Sequence, residues 1–230
     1  MSQLILLRHG ESKYNQKNLF TGWTDTDLSE QGQEEARQAG RILKQHQIYP
    51  DICFTSWLKR AIHTAHLTLA ELEWEHINQQ RSWKLNERHY GDWQGRNKDE
   101  VLQKVGETQF KAIRRGYDTP PPPLPEKDPR SPQFEAKYQS LDPSLLPRSE
   151  SLHQTQIRTL NYFYQAILPQ LAEDKTVLIS AHGNTLRALM MHLENISPED
   201  IVEREIPTGL PMLYTFDNLL NTQAHTLLNF

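Results

Sequence analysis

Cysteine is almost missing from this chain. Cys53 is the only one in 230 residues, so no intrachain disulfide can form, which suits a reducing compartment. It sits in the apolar run "ICFTS", where a small buried hydrophobe accounts for it most simply. Long apolar runs are missing too. No stretch approaches the roughly 20 residues that a bilayer-spanning helix needs. The first residues enter strand-like sequence without the charged and apolar regions of a secretory signal. A soluble, cytoplasmic protein that touches no membrane is therefore expected. Nor is there an excess of positive charge: 25 Lys and Arg stand against 29 Asp and Glu, for a net charge of −4 and a pI of about 6.2. Such a balance argues against general nucleic-acid binding, which favours basic faces. No His/Asp/Glu set has metal-ligand spacing. What remains, 37% hydrophobic and 23% charged residues, is enough for a sizeable core, and the length fits one large domain or two small ones.

Two short stretches repeat a pattern. "LILLRHGES" (residues 4–12) and "TVLISAHGNT" (residues 176–185) each run a continuous apolar strand into a His-Gly turn. Continuous apolar runs suit strands buried on both faces of a parallel sheet. "DICFTS" is a further strand of this kind, and "MLYTF" a late one. Between them lie helical patterns. "LSEQGQEEARQAGRILKQHQ" has Ser29 as N-cap, acidic first turns, and Ala36, Ala39, Gly40 and Leu43 at helical spacing. "WLKRAIHTAHLTLAELE" and "TLRALMMHLEN" follow two of the strands. "SLHQTQIRTLNYFYQAILPQL" opens with Ser151 and Gln154 placed for a capping box. Alternating strands and helices predict an α/β fold with a mainly parallel central sheet.

Residues 119–147 break the alternation. Nine of the 14 prolines lie there, including "PPPP". Proline lacks an amide donor and fixes φ, so this segment is neither helix nor central strand. It is far longer than the usual connection of about 4–6 residues and shows no second hydrophobic core. It reads as an insertion into a single domain, and as a candidate cover for a site.

The His-Gly turns locate that site. In an open parallel sheet, ligands bind beyond the carboxyl ends of the strands. If the two strands are neighbours, His9 and His182 converge there, and Gly10 and Gly183 let backbone approach a ligand. Arg8, Arg60, Lys98, Arg114 and Arg115 fall near element ends or turns. Arg60 lies in the first turn of a helix, where backbone amides already favour anions. Converging bases on an acidic chain point to a small polyanion. "LNERHYGDWQG" adds Glu87 beside Arg88, His89 and Tyr90. A like charge disfavours ionisation of a carboxyl held near a phosphate, which makes Glu87 a candidate proton donor and acceptor. Taken singly, each of these residues also fits a surface ion pair or a histidine that satisfies a strand end.

Together, "RHGES", "NLFTGWTDTDLSEQG", "TSWLKRAIHT", "LNERHYG", "IRRGYDTPPPP", "LPRSESL", "AHGNTLRAL" and "IPTGLP" resemble, in order, the blocks of the cofactor-dependent phosphoglycerate mutases within the histidine phosphatase superfamily. The resemblance implies a mutase-like fold over residues 1–230, with about six strands, helices on both sheet faces and 119–147 inserted. It implies an isomerase of glycolysis and gluconeogenesis. Such an enzyme interconverts 3-phosphoglycerate and 2-phosphoglycerate through a phosphohistidine primed by 2,3-bisphosphoglycerate, without a metal, as a homo-oligomer (dimer or tetramer). It implies His9 as nucleophile, Glu87 as general acid/base, and His182, Arg8 and Arg60 around the transferring group. Gly10, Ser12, Asn15, Thr21, Gly22, Arg88, Tyr90, Lys98, Arg114, Arg115, Gly183 and Asn184 would hold the substrate.

Two features depart from the family's pattern. Asp92–Trp93 stands where mutases usually carry a small or acidic residue followed by leucine, and a Gly-Asp-Trp turn is more familiar in the phosphatase branches. The sequence also ends at "LLNF", without the longer tail of many mutases. The residues alone therefore leave two readings besides the mutase: a phosphatase on the same fold, and a catalytically silent relative.

Overall fold

The computed structural model describes residues 2–230. Along the chain it contains β1 (Gln3–Arg8), α1 (Lys13–Gln16), α2 (Glu30–Gln45), β2 (Ile52–Thr55), α3 (Lys59–Glu71), β3 (Asn78–Arg81), α4 (Lys98–Val105), α5 (Glu107–Arg115), α6 (Leu152–Tyr162), α7 (Leu168–Ala172), β4 (Thr176–Ala181), α8 (Gly183–Glu194), β5 (Pro211–Phe216) and β6 (Thr222–Leu227). Among the described residues, six strands form one sheet in the order β3-β2-β4-β1-β5-β6. The β1–β4, β2–β4 and β2–β3 pairs are parallel, while β5 and β6 close one side as antiparallel strands.

Alternation along the central strands assigns the two faces. Leu4 and Leu6 of β1, with Phe54, Val177 and Ile179, meet Phe163, Leu186 and Leu189 on the α6–α8 side. Ile5 and Leu7, with Cys53 and Leu178, meet Ala39, Ile42, Ala65 and Leu69 of α2 and α3. Helices cover both faces, so the central strands are apolar on both, which is why "LILL" and "VLI" are unbroken, and the one buried hydroxyl that follows, Ser180 Oγ, donates to Ala61 O at 2.9 Å. Cys53 is fully buried in the α2–α3 layer.

The caps lie where the sequence points to them. Ser29 Oγ accepts from Gly32 N at 3.0 Å, and Ser151 with Gln154 forms the reciprocal box at the start of α6. That helical run is not uniform. A π-helical stretch, Phe163–Ile167, separates α6 from α7, whose second residue is Pro169. A proline inside a helix removes one amide donor and crowds the preceding turn, and wider coiling just upstream accommodates it.

A smaller apolar cluster, Phe20, Tyr90, Trp93, Val101, Phe110 and Ile113, joins the α4–α5 hairpin to the body. Residues 119–147 are mostly exposed and are pinned at a few buried points. They contain short 3₁₀ turns at Pro132–Phe134, Ala136–Tyr138 and Pro143–Leu145. Tyr138 is buried, stacks on Trp57 and receives a 2.9 Å bond from Asn86 Nδ2. Among the described residues no helix is long and apolar enough to cross a membrane.

Candidate active site

Strands β1 and β4 are direct neighbours, with Arg8 opposite Ala181. Both therefore end at the same level. His9 N donates to Ala181 O at 3.0 Å, and the rings of His9 and His182 lie edge to face, 5.1 Å apart. The turn after β1 is possible because residue 10 is glycine. A β-carbon there would sit 2.1 Å from Gly32 O, so only glycine lets this turn meet the start of α2.

The two imidazoles have different partners. His9 Nδ1 lies 2.7 Å from Gly10 O. A carbonyl only accepts, so Nδ1 carries the hydrogen and Nε2 keeps its lone pair. That lone pair faces Arg60 Nε at 3.2 Å. Burial, then the positive charges of Arg60 and Arg8, hold the His9 pKa well below the usual histidine range. His182 is pushed the same way by burial, Arg60 and His9. Its Nε2 lies 2.8 Å from Ser56 Oγ, and its Nδ1 is buried without a partner. A neutral imidazole keeps a lone pair with which to attack, whereas an imidazolium has none.

Arg60 comes from the first turn of α3 and is fully buried. Its other nitrogens donate to Thr24 O at 3.0 Å and Gly22 O at 2.8 Å. Burial lowers its pKa to about 10, so it stays cationic at neutral pH. Arg8 donates through Nη1 to Ile206 O at 2.6 Å, while its buried Nε has no partner. Glu87 holds one carboxylate oxygen against two amides, Arg88 N at 2.8 Å and Asn184 N at 3.1 Å. The second oxygen, Oε2, faces Gly183, 3.8 Å from where a β-carbon there would lie.

These groups open on a cavity of about 190 Å³. Of the residues named from the sequence, Arg8, His9, Asn15, Thr21, Gly22, Arg60, Glu87, Tyr90, Lys98, Arg114, Arg115, Gly183 and Asn184 line it. His182, Gly10, Ser12 and Arg88 do not. His182 packs its ring edge to face against that of His9. Gly10 donates its amide to Thr64 Oγ1 at 3.1 Å, and Ser12 caps α1 through Asn15. Arg88 bonds the carbonyls of Ile113 and Arg114 at 2.9 and 3.0 Å, so it fixes the end of α5 that carries Arg114 and Arg115.

Sequence reasoning missed Arg187, Glu205 and Ile206, which also line the cavity. Arg187 sits one helical turn after Asn184 and donates to its Oδ1 at 2.9 Å, so the i, i+3 spacing was the available signal. Glu205 pairs with Arg115 at the rim. No residue of 119–147 lines the cavity among the described residues. The expected cover is instead a brace: Asp92 N donates to Pro122 O at 2.8 Å. Asp92–Trp93 serves the same packing. Arg130 Nη2 reaches Asp92 Oδ1 at 2.9 Å, and Trp93 stacks beside Phe20 and Phe110.

Six cationic side chains thus surround the cavity against the carboxyls of Glu87 and Glu205. Burial and the neighbouring Arg114 lower the pKa of both Lys98 and Arg115. Mutually repelling cations around a small space are relieved by a polyanion. No group of three or more His, Cys, Asp or Glu among the described residues is placed to hold a metal ion.

Comparison with known proteins agrees with this chemistry. Residues 4–131 and 126–218 match the model of the histidine phosphatase superfamily (branch 1). The chain is 49% identical over 228 residues to a 2,3-bisphosphoglycerate-dependent phosphoglycerate mutase of Nitratidesulfovibrio vulgaris, covering 99% of this chain and 92% of that one. It is 48% identical over 220 residues to phosphoglycerate mutase 1 of Saccharomyces cerevisiae, covering 96% and 89%. Among solved structures, Bacillus stearothermophilus YhfR superposes with a TM-score of 0.71 at 25% identity, covering 97% of this chain and 95% of that one.

Proposed function

This chain belongs to the histidine phosphatase superfamily, branch 1, and from that premise we propose that it interconverts 3-phosphoglycerate and 2-phosphoglycerate as a 2,3-bisphosphoglycerate-dependent mutase. The observation that carries the reading is a cation-lined cavity that His9 and Glu87 both line, with the His182 ring packed against His9, in a chain about half identical to curated mutases over nearly its full length. The residues suit 2,3-bisphosphoglycerate. His182 Nδ1, Arg8 Nε and Arg187 Nε are buried without partners, and the cationic surplus matches a ligand with two phosphates and a carboxylate. Arg8, Arg60 and His182 would hold the phosphoryl group beside His9, with Lys98, Arg114 and Arg115 on the rest.

When bound, bisphosphoglycerate supplies the phosphoryl group that loads His9. His9 Nε2 forms the N–P bond as the P–O bond breaks, in line. Glu87 gives a proton to the departing glyceryl oxygen, and in the return direction takes one from the acceptor hydroxyl. Arg8, Arg60 and His182 stabilise the charge spread over the equatorial oxygens. Such positioning and charge stabilisation supply most of the rate in phosphoryl transfer. The arginines provide here the compensation that a metal provides elsewhere, so the reaction proceeds without one. The same reading makes residues 1–230 one catalytic domain with 119–147 inserted, working in the cytoplasm as a homo-oligomer. Asp92–Trp93 no longer argues for a phosphatase, since both side chains have packing roles. A coupled assay of 3-phosphoglycerate conversion, with bisphosphoglycerate added and withheld, tests the proposal. Turnover that depends on bisphosphoglycerate supports it, and hydrolysis outpacing isomerisation rejects it.

A further inference from the structure

The general acid of this reading sits on backbone with no regular structure. After the 3₁₀ turn Trp83–Leu85, residues 86–90 belong to neither helix nor strand, and α4 begins only at Lys98. No hydrogen-bond ladder tells Glu87 where to be. A buried ion pair outside the cavity does so instead. Arg158 of α6 and Glu150 have side chains only 9% and 5% exposed, and neither lines the cavity.

Every donor of the Arg158 guanidinium has a partner. Nε and Nη2 grip the two oxygens of Glu150 at 2.6 and 2.8 Å. Nη1 donates to Lys84 O at 2.8 Å and Asn86 O at 2.9 Å, and Nη2 also donates to Glu87 O at 2.9 Å. Three converging carbonyls need several donors from one point, and only a guanidinium offers five in a fixed fork. Glu150 neutralises that buried charge and receives His89 N at 2.8 Å. The pair therefore grips the segment on both sides of Glu87. Trp23 Nε1 adds a bond to Glu87 O at 2.6 Å.

We infer that Arg158, neutralised by Glu150, is a positioning residue for Glu87, holding its carboxyl where the leaving oxygen departs. The inference rests on the acid/base role proposed above for Glu87. It has a chemical signature. An alkyl phosphate leaves as an alkoxide and needs the Glu87 proton. A p-nitrophenyl phosphate leaves as a stable phenolate, taking the electron pair of the broken P–O bond without a proton. A misplaced Glu87 slows the first transfer to His9 and spares the second.

The test uses the full-length protein and measures transfer to His9 by rapid quench, from bisphosphoglycerate and from p-nitrophenyl phosphate. Arg158→Lys keeps charge and stem but cannot reach three carbonyls; Glu150→Gln keeps shape but frees the guanidinium. In either variant, transfer from bisphosphoglycerate should fall by about tenfold to a hundredfold, the scale of a small misplacement of a reacting group. The half-saturating concentration and the nitrophenolate burst should stay within about threefold of wild type, since neither depends on the proton. Equal losses with both donors, or no loss with either, would overturn the inference. A wild type that takes phosphate from both donors yet never isomerises phosphoglycerate would defeat the mutase reading and leave this comparison intact.

Discussion

Removing the charge of Arg60 should damage both fold and chemistry, with different signatures. In Arg60→Met the stem survives, but the donors to Gly22 O and Thr24 O disappear. A buried acceptor left without a donor costs about 1–3 kcal/mol, so up to roughly 6 kcal/mol of stability should be lost for the two, less where water reaches the part-buried Thr24 O. The transferring phosphoryl group loses one preorganised cation, and removal of a comparable donor lowers kcat by about 10²–10³. A third effect concerns pH. Next to burial, the charge of Arg60 is the main influence holding the His9 pKa down. Without it His9 is protonated more readily, so the acid limb of phosphoenzyme formation should move to higher pH. Arg60→Lys keeps the charge but cannot reach His9 and both carbonyls at once, so it should lose rate with little movement of the limb. Urea midpoints and rapid-quench rates between about pH 5 and 8 measure all three effects. Arg60→Met with kcat within about threefold of wild type, or with an unmoved acid limb, would refute the reasoning.

Other expectations follow from the same geometry. His9, His182 and His89 are buried and neutral, with His89 lowered to about 4, chiefly by burial. Below an unfolded value near 6.5 the unfolded chain binds more protons, so stability is full above that pH and is lost as pH falls. His89 alone accounts for roughly 3 kcal/mol by about pH 4, and a flat urea midpoint between about pH 7 and 5.5 would contradict this. Arg114→Ala with Arg115→Ala should lower mutase efficiency on the order of a hundredfold while changing phosphoenzyme hydrolysis far less; an equal drop in both rates would remove their selective role. Vanadate should inhibit by occupying the pocket of Arg8, His9, Arg60 and His182, and EDTA should not. Activity lost to EDTA and restored by a divalent ion would overturn the metal-free mechanism.

The parts of the fold that were legible in the sequence are those whose residues answer to local rules. Strand β4 falls on "TVLISA" because a strand covered on both faces is apolar along most of its length, here Val177 to Ile179. Ser29 and Ser151 mark helix starts because an N-cap hydroxyl is a local requirement. The edge strands were not legible. "NQQR" in β3 has no buried residue and "TQAHTL" in β6 is mostly exposed, so neither carries an apolar signal. Helices α4 and α5 were missed beside the prolines, since their packing depends on Phe20, ninety residues before Phe110 reaches it. In the site, His9 and His182 could be paired because both follow buried strands. Ser56 behind His182, and Arg158 behind Glu87, could not. Each acts on a residue dozens of positions away, through a contact that only the folded chain creates.

The claim on which the rest depends is that His9 carries the phosphoryl group, and transfer of label from 2,3-bisphosphoglycerate to the protein measures it most directly. The expected product is an acid-labile, base-stable phosphoprotein whose label maps to His9, with no label on His9→Ala. Label that persists on His9→Ala, or that survives acid, would contradict it.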